Sequence, residues 1–447
     1  MSDITQTLPS HWKYVSEGGA TIVFSYVGPP DPTYDGMVLR LRKAVNGSPE
    51  QEATGEDEPD DPVIEYQTRC MERVFPQENL PRLQSVRLER KWLKGLVEMH
   101  DFKRPEARRG KDHVDFSRKK GVLATDLVGG DWIAVEIKPK WAFLPSATHL
   151  SGDTKMAKTQ TCRFCMHSYM RNVEDQKYVN NYCPLDLFSG NVGRVHKAID
   201  SLWDAWEHSS GSVNNLKIFA HGKVVKPGQV ERLVREDVVA STSPEKIREV
   251  FKEAVCNTLL RSPVLTIISR LQRSLDVLDI EGLSKLWREA ELQSPLYRSA
   301  YASYFEQPVS SEKIPPATPL GVPSTHLPAS EPTISDWVEF LDTFQSAGVA
   351  GMDHTQPRIE NLRYYLLAYL LSATFKDCSI IVKLDFLGLE NITEYKVHPI
   401  AVIDLDPKGL DRLQRWQELD RGIVYNYTPA ERKVCVDGWA ELSGVFD

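Results

Sequence analysis

Between Trp12 and Val27 apolar residues alternate with polar or small ones around Gly18-Gly19, and after a Pro-Pro-Asp-Pro turn a second short run, Met37 to Leu41, repeats the alternation. Period two puts every other side chain on one face of an extended chain, and glycine and proline let such runs reverse. The stretch predicts a β-hairpin with a glycine turn near its start, followed by another strand. From Leu83 to Met99 the apolar positions recur at helical spacing, and two strand-like runs follow, Val122 to Leu127 and Trp132 to Ile137. Beyond Leu144-Pro145 the pattern is mainly helical, over Thr159 to Asn172, Val192 to Glu207, Pro244 to Leu275 and Gly282 to Glu291. Strand-like pieces at Leu216 to Phe219, Ser379 to Leu384 and His398 to Asp404 interrupt it. The expected fold class is α/β (α+β), with a mixed N-terminal lobe over 1–143 and a larger, mainly helical C-terminal lobe with a small sheet over 144–447. Two segments stand apart: Asn46 to Asp61, rich in Glu, Asp, Gly and Pro, is expected to be a mobile loop, and Gln307 to Pro332, rich in Pro and Ser, a loop or flexible insertion.

The chain is 447 residues long, enough for two substantial cores. Its apolar runs, such as Tyr364 to Leu371, fall well short of the roughly 20 residues that cross a bilayer, so no membrane span is expected. The N-terminus has no basic and then apolar secretory character, and an intracellular protein is expected. Seven cysteines, an odd number, fit a reducing compartment better than a disulfide framework. Cys162 and Cys165 form a C-x-x-C followed by His167, yet Cys183 is the only other nearby cysteine, so the segment reads as a helix face rather than a zinc site. A formal net charge of -8 gives no general attraction for nucleic acid or acidic lipid, so an anionic ligand needs a local basic cluster.

Three such clusters occur. In Glu136-Ile137-Lys138-Pro139-Lys140 a strand ends in two lysines two residues apart, expected on one face and stiffened by proline. Arg163, His167 and Arg171 recur at intervals of four on a predicted helix, as do Lys408, Arg412 and Trp416 after a strand. Each cluster alone fits a solvated surface; three suit a phosphate-dense ligand. Asp404 and Asp406 end an apolar strand, a common place for a Mg²⁺ ligand, and Asp377 closes a long helix. Phosphoryl transfer needs a metal-binding carboxylate, a group to orient or deprotonate the attacking hydroxyl, and cations against developing charge. Gly18-Gly19 could admit nucleotide phosphates to the backbone. A G-x-x-x-x-G-K-[ST] loop and the H-R-D and D-F-G signatures are absent, which argues against a P-loop enzyme and an ordinary protein kinase.

Taken in order, Glu-Gly-Gly-Ala (17–20), Val-Leu-Arg-Leu (38–41), Glu-Ile-Lys-Pro-Lys (136–140), Arg-Phe-Cys-Met-His (163–167), Tyr-Cys-Pro-Leu-Asp-Leu-Phe-Ser-Gly (182–190), Asn-Asn-Leu-Lys (214–217), Lys-Asp-Cys-Ser (376–379) and Asp-Leu-Asp-Pro-Lys (404–408) resemble the inositol-pentakisphosphate 2-kinases over nearly the whole chain. The resemblance implies ATP- and Mg²⁺-dependent transfer to the 2-hydroxyl of inositol 1,3,4,5,6-pentakisphosphate, giving inositol hexakisphosphate. It also implies a two-lobed fold distantly like protein kinases, with nucleotide between the lobes and inositide mostly on the C-terminal one. By motif, Asp377 would be the base or orienting group and Lys138 would lie near the transferred phosphoryl. Asp404 would hold Mg²⁺ with Asn215. Lys140, Arg163, His167, Arg171, Asn214, Lys408 and Arg412 would bind inositide, with Arg108 as the N-terminal-lobe arginine. Arg40, Glu136, Lys217, the hinge Asp126 and the backbone at Gly18 and Gly19 would contact nucleotide. Arg171 stands where the family often has lysine, and Trp416 where a tyrosine touches substrate. Some plant members carry a Cys/His zinc site, but residues 293–356 here have no cysteine, so no zinc is expected. The compact form resembles fungal members, and the resemblance implies a monomer in the nucleus or cytoplasm, with no nucleic-acid or membrane partner. A kinase of different ring-position specificity and a non-catalytic inositol-polyphosphate scaffold are the alternatives.

Overall fold

The computed structural model describes residues 1–47, 58–130, 132–175, 180–229, 244–293, 330–346, 352–385, 396–427 and 433–438. Most of both predicted loops, 48–57 of the first and 307–329 of the second, lies outside the described residues. Helices and sheets are both present, as an α+β chain requires. One compact unit comprises Met1–Glu136, Lys217–Val250 and Ile381–Ile403, the other Ile137–Leu216, Phe251–Ile380 and Asp404–Asp447. The sequence suggests one division at 143/144; the units instead interleave along the chain, because strands distant in sequence complete one sheet.

The first unit is built on seven strands: β1 (Ser2–Asp3), β2 (Trp12–Glu17), β3 (Thr21–Tyr26), β4 (Met37–Val45), β5 (Leu83–Arg87), β6 (Asp112–Val114) and β7 (Lys120–Thr125). They lie in the order β1-β5-β7-β4-β3-β2, with β6 on β4. The predicted hairpin is β2–β3, and β3 pairs antiparallel with β4, setting Ile22 opposite Leu41 and Phe24 opposite Leu39. These four side chains share a core with Val86, Leu123 and the Trp92, Leu93 and Leu96 face of helix α1 (Arg90–His100). The single helix expected over 83–99 is thus a strand followed by a helix. Backbone pairing of β5 with β7 and β1 fixes the extended half, and only α1 follows the helical period.

A second sheet runs β10 (Lys223–Val225), β9 (Leu216–Ala220), β8 (Ile133–Ile137), β11 (Ser379–Asp385), β12 (Lys396–Val397), with β13 (Ala401–Ile403) on β11. The chain enters or leaves the second unit at the ends of β8, β9, β11 and β13, so Lys138, Asn215, Ser379 and Asp404 all belong to that unit.

The second unit contains α2 (Gly152–Gln160), α3 (Arg163–Asp175), α4 (Val192–His208), α6 (Val264–Leu275), α7 (Asp279–Gln293), α8 (Ile334–Gln345), α9 (Leu362–Asp377) and α10 (Leu413–Asn426), with most of α5 (Pro244–Arg261). Helix α9 reads Tyr-Leu-Leu-Ala-Tyr-Leu-Leu over 365–371 without the first tyrosine's neighbour being polar, and it is buried on all sides, as a helix apolar all round must be. It packs on α6 and α7. Two predicted helices are each broken in two. The helix expected over 244–275 stops at Pro263, which lacks an N–H and blocks the preceding turn. The one expected over 159–172 stops at Thr161-Cys162, so α3 begins at Arg163. Of the strand expected over 398–404, only β13 forms.

Candidate active site

The end of β8 opens the site. Lys138 and Asn215 are tied backbone to backbone and side chain to backbone, with Lys138 N donating to Asn215 O (3.0 Å) and Asn215 Nδ2 to Lys138 O (3.2 Å). Lys138 Nζ donates to Ser379 Oγ (2.8 Å) and Asp404 Oδ2 (2.9 Å). Lys140 turns elsewhere: its φ is 67°, and its Nζ lies 3.1 Å from Asp377 Oδ1. The two lysines therefore do not share a face through strand periodicity. The strand ends at Ile137, before either lysine, and the left-handed backbone at Lys140 gives each ammonium its own carboxylate. Lys408 Nζ approaches the other oxygen, Asp377 Oδ2, at 3.4 Å.

Asp377 is the last residue of α9, where the helix dipole disfavours a negative charge. Partial burial also raises its pKa, yet Lys140, Lys408 and Lys138 outweigh burial and hold the carboxyl below its ordinary value. It is ionised at neutral pH and more than half exposed, at 57 %. Such a group accepts a hydroxyl hydrogen bond well and takes a full proton only as the hydroxyl becomes acidic.

Among the described residues, Asp377 is also the one acid lining a cavity of about 250 Å³ in the second unit. Lys140, Arg163, Arg171, Lys376, Lys408 and Arg412 line it with basic side chains, and His167, Asn214, Asn215 and Trp416 complete the polar wall. The structure thus gathers all of the sequence-predicted inositide residues except Arg108. Arg163 stacks on Trp141, 4.8 Å from the ring centroid, while its Nε donates to Asp420 (3.0 Å). Arg171 Nε donates to His167 Nε2 at 3.2 Å. Burial, then the charges of Arg171, Arg163 and Lys140, push the His167 imidazolium down to about 4, so this position is neutral rather than a third cation. Lys408, Arg412 and Trp416 do not lie on one helix as expected. Arg412 ends a 3₁₀ turn, Leu410–Arg412, and only Trp416 is in α10, yet all three reach the cavity.

Residues with no sequence signal hold this wall. Gln272, fully buried, donates from Nε2 to Lys140 O (2.9 Å) and Phe375 O (3.0 Å), and its Oε1 accepts from Ala142 N (2.9 Å). It fastens the Lys140 turn to the end of α9. Lys376 pairs with Asp276 and lies 3.9 Å from the Trp141 centroid. Burial lowers its pKa, against the pull of Asp276. Neither an apolar period nor a motif marks Gln272, because its partners are backbone carbonyls brought close only by folding.

Asp404 has a φ of 62° and a half-exposed carboxylate. Mg²⁺ prefers one or two carboxylates with phosphate and water oxygens, and Asp404 with the Asn215 amide fits that donor set. Lys138 at 2.9 Å shows that the Asp404 oxygen already attracts positive charge.

The nucleotide candidates lie in the first unit, where only some meet. Lys217 Nζ is 3.5 Å from Glu136 Oε2. The Asp126 carboxylate is consumed locally, accepting from Ser25 Oγ and the backbone of Val128 (3.0 Å) and Gly129 (2.6 Å). Arg40 lies in β4 opposite Val23 and Val122. A Cβ added at Gly18 or Gly19 would meet nothing within 4 Å, so these glycines leave open space rather than serve a strained turn. Arg108 donates to Gly18 O at 3.4 Å, whereas Arg104 is buried with Glu17 and Asp112.

Residues 14–422 match the protein family described as inositol-pentakisphosphate 2-kinase. An inositol-pentakisphosphate 2-kinase of Cryptococcus neoformans is 32% identical over 436 residues, covering 93% of each chain. Those of Arabidopsis thaliana (27% identical, 97% of this chain and 96% of that protein) and Danio rerio (25%, 93% and 92%) are similar over comparable lengths.

Proposed function

Since the chain belongs to the inositol-pentakisphosphate 2-kinase family, we propose that it transfers the γ-phosphoryl of ATP to the 2-hydroxyl of inositol 1,3,4,5,6-pentakisphosphate, giving inositol hexakisphosphate and ADP. The observation that carries this reading is the cavity in which, among the described residues, one carboxylate faces Lys140, Arg163, Arg171, Lys408 and Arg412, with Lys376 of the same wall paired to Asp276. A substrate with five phosphates and one free hydroxyl has the complementary pattern. Lys140, Arg163, Arg171, Lys408 and Arg412 bind phosphates, and Asp377 accepts the hydrogen bond of the hydroxyl that attacks. Phosphoryl transfer goes through a loose transition state, so orientation of that hydroxyl matters more than early deprotonation, which suits a carboxylate of lowered pKa. Lys138 meets the charge on the transferred group, and Asp404 with Asn215 would hold Mg²⁺, which neutralises phosphate charge. Glu136, Lys217 and the open backbone at Gly18 and Gly19 are the proposed nucleotide contacts.

The test is incubation with Mg²⁺-ATP and inositol 1,3,4,5,6-pentakisphosphate, followed by anion-exchange separation. Inositol hexakisphosphate that disappears with Asp377→Asn supports the reading. Tight inositide binding without any product would make the chain a scaffold, and a product phosphorylated elsewhere would refute the ring position.

A further inference from the structure

Two consecutive residues at the end of α9 make opposite ion pairs. Asp377 meets Lys140 and Lys408 at the open cavity, while Lys376 turns inward to Asp276, just past the end of α6. The inward pair is buried, its side chains 4 % and 1 % exposed. Three rings lie around the ammonium, with the centroids of Trp141, Tyr369 and Phe143 at 3.9, 5.1 and 5.3 Å. Asp276 Oδ1 is buried with no hydrogen-bond partner among the described residues, so this carboxylate depends on Lys376. Lys376 lines the inositide cavity, yet its charge is answered inside the wall rather than offered to a ligand.

We propose that Lys376 is the positioning residue for Asp377: its buried pair with Asp276 fixes the last turn of α9 and so aims the carboxylate that receives the substrate hydroxyl, a role that rests on the phosphoryl-transfer reading above. A helix leaves its last four carbonyls without partners of its own, and a left-handed glycine commonly closes it. Helix α9 has no such cap. Cys378 follows in extended conformation (φ −62°, ψ 164°), and β11 starts at the next residue. The end is held from outside instead. Gln272 Nε2 and Cys378 Sγ donate to Phe375 O (3.0 and 3.2 Å), Thr374 Oγ1 donates to Asp406 O (3.2 Å), and Ser372 Oγ donates to Gln272 O (2.9 Å). These bonds act on residues 372 to 375 and set the helix end against α6. The contact on the residue beside Asp377 is the ion pair. Successive helical side chains point about 100° apart, so drawing Lys376 to Asp276 leaves Asp377 directed at Lys140 and Lys408.

Stability alone does not call for this arrangement, since apolar side chains of similar volume often replace a buried ion pair without loss. Direction is what an apolar contact lacks: Lys376 must meet a carboxylate and three ring faces at once. A reacting group misplaced by about 1 Å can lose about 10²-fold in rate. Arg163 stacks on the same Trp141 ring at 4.8 Å and is held separately by Asp420, so inositide binding should survive loss of the ammonium.

The experiment compares wild type, Lys376→Met, Lys376→Arg and the double variant Lys376→Met/Asp276→Leu by steady-state kinetics, inositide calorimetry and thermal unfolding. Lys376→Met strands the Asp276 carboxylate and should lower Tm. The double variant removes both charges and should recover Tm, yet its kcat should stay about 10- to 100-fold below wild type with inositide affinity little changed. Lys376→Arg keeps the charge and should regain part of kcat. A double variant with wild-type kcat would make the pair an element of the fold only and overturn the proposal, as would a loss confined to KM. The double variant decides even if Lys376→Met fails to fold. A readout independent of turnover is the titration of isotope-labelled aspartate carboxyls, with the Asp377 signal assigned by its absence from Asp377→Asn. In wild type it should titrate below its ordinary value of 3.8, and in the double variant nearer that value, because a carboxylate turned from Lys140, Lys408 and Lys138 loses their charge. An unmoved titration would overturn the proposal. A shifted titration in a chain that makes no inositol hexakisphosphate would uphold the aiming of Asp377 and refute the kinase reading alone.

Discussion

Two charge clusters in the second unit are near mirror images. In one, Lys158 is enclosed by three carboxylates, Asp279 (2.6 Å), Glu281 (3.2 Å) and Asp420 (2.8 Å), with Arg163 on the far oxygen of Asp420. In the other, Asp377 is flanked by Lys140 and Lys408 within a wall of further cations. The first is buried, Lys158 being 3 % exposed, and its charges are nearly matched. The second is open and keeps a surplus of one sign. Matched buried charge fixes a fold; surplus charge facing solvent awaits a counter-charge from elsewhere. Arg163 joins the two, answering Asp420 on one side and the cavity on the other.

The sharpest way to break this contrast is to remove the single carboxylate. Asp377→Asn should lower kcat by about 10²- to 10⁴-fold, the usual worth of a positioned acid or base, while calorimetry finds inositide affinity kept or improved. Near-normal turnover would take Asp377 out of the chemistry. Next in size is Lys158→Met, which strands three buried carboxylates. Such a loss costs about 3–5 kcal/mol, so denaturant unfolding should show a large fall in stability. The sign with pH divides between the partners: burial pushes Asp279 up to about 6, so its cost to the fold falls away as the pH drops through that value, and the other two run the opposite way. Burial tends to raise the Asp420 and Glu281 carboxyls, but Lys158 outweighs it and holds both below their ordinary values. Their contribution in the wild type is present above those ordinary values and lost as the pH falls through the lowered ones. A wild-type stability that does not fall below about pH 4 would contradict the assignment.

Arg412→Ala should act on binding rather than fold. Charged hydrogen bonds contribute about 1.5–3 kcal/mol, so KM for inositide should rise about tenfold to a hundredfold, with a weaker dependence of affinity on salt. An equal loss of kcat and unchanged KM would move Arg412 from binding to the transition state.

How much of this was legible beforehand divides along the same contrast. The charged residues of the site were readable because each sits in a short motif at the end of an element: Lys138 and Lys140 after β8, Asp377 at the end of α9, Lys408 after β13. The matched cluster was not. Lys158, Asp279 and Asp420 lie on three separate helices, and nothing local announces that they meet. Gln272 was missed for the same reason, and so was Cys435, whose sulfur lies within 4.8 Å of those of Cys162, Cys165 and Cys183, where the sequence offered Cys183 alone. The strand at Leu83 was read as helix because β5 takes its conformation from pairing with β7 and β1. Local spacing failed even where the residues do reach the cavity: Lys140 is placed by a left-handed backbone, and Arg412 by a 3₁₀ turn.

The smallest expected effect concerns His167, which the surplus itself keeps uncharged. Its ordinary value of 6.5 falls to about 4, first through burial and then through Arg171, Arg163 and Lys140. The unfolded chain therefore takes up this proton first as the pH drops. The stability this neutral imidazole contributes is whole above about 6.5 and declines as the pH falls toward 4. A bound polyanion reverses the balance, because phosphate beside the same guanidiniums favours the imidazolium. Inositide binding near pH 6 should thus draw in protons, and His167→Gln should reduce that uptake by up to about one proton per site. Calorimetry in two buffers of different ionisation enthalpy reads the difference directly and cancels protons taken by the ligand. Equal uptake by both proteins would mean that His167 stays neutral against phosphate, and that lysine and arginine alone make the cavity's surplus.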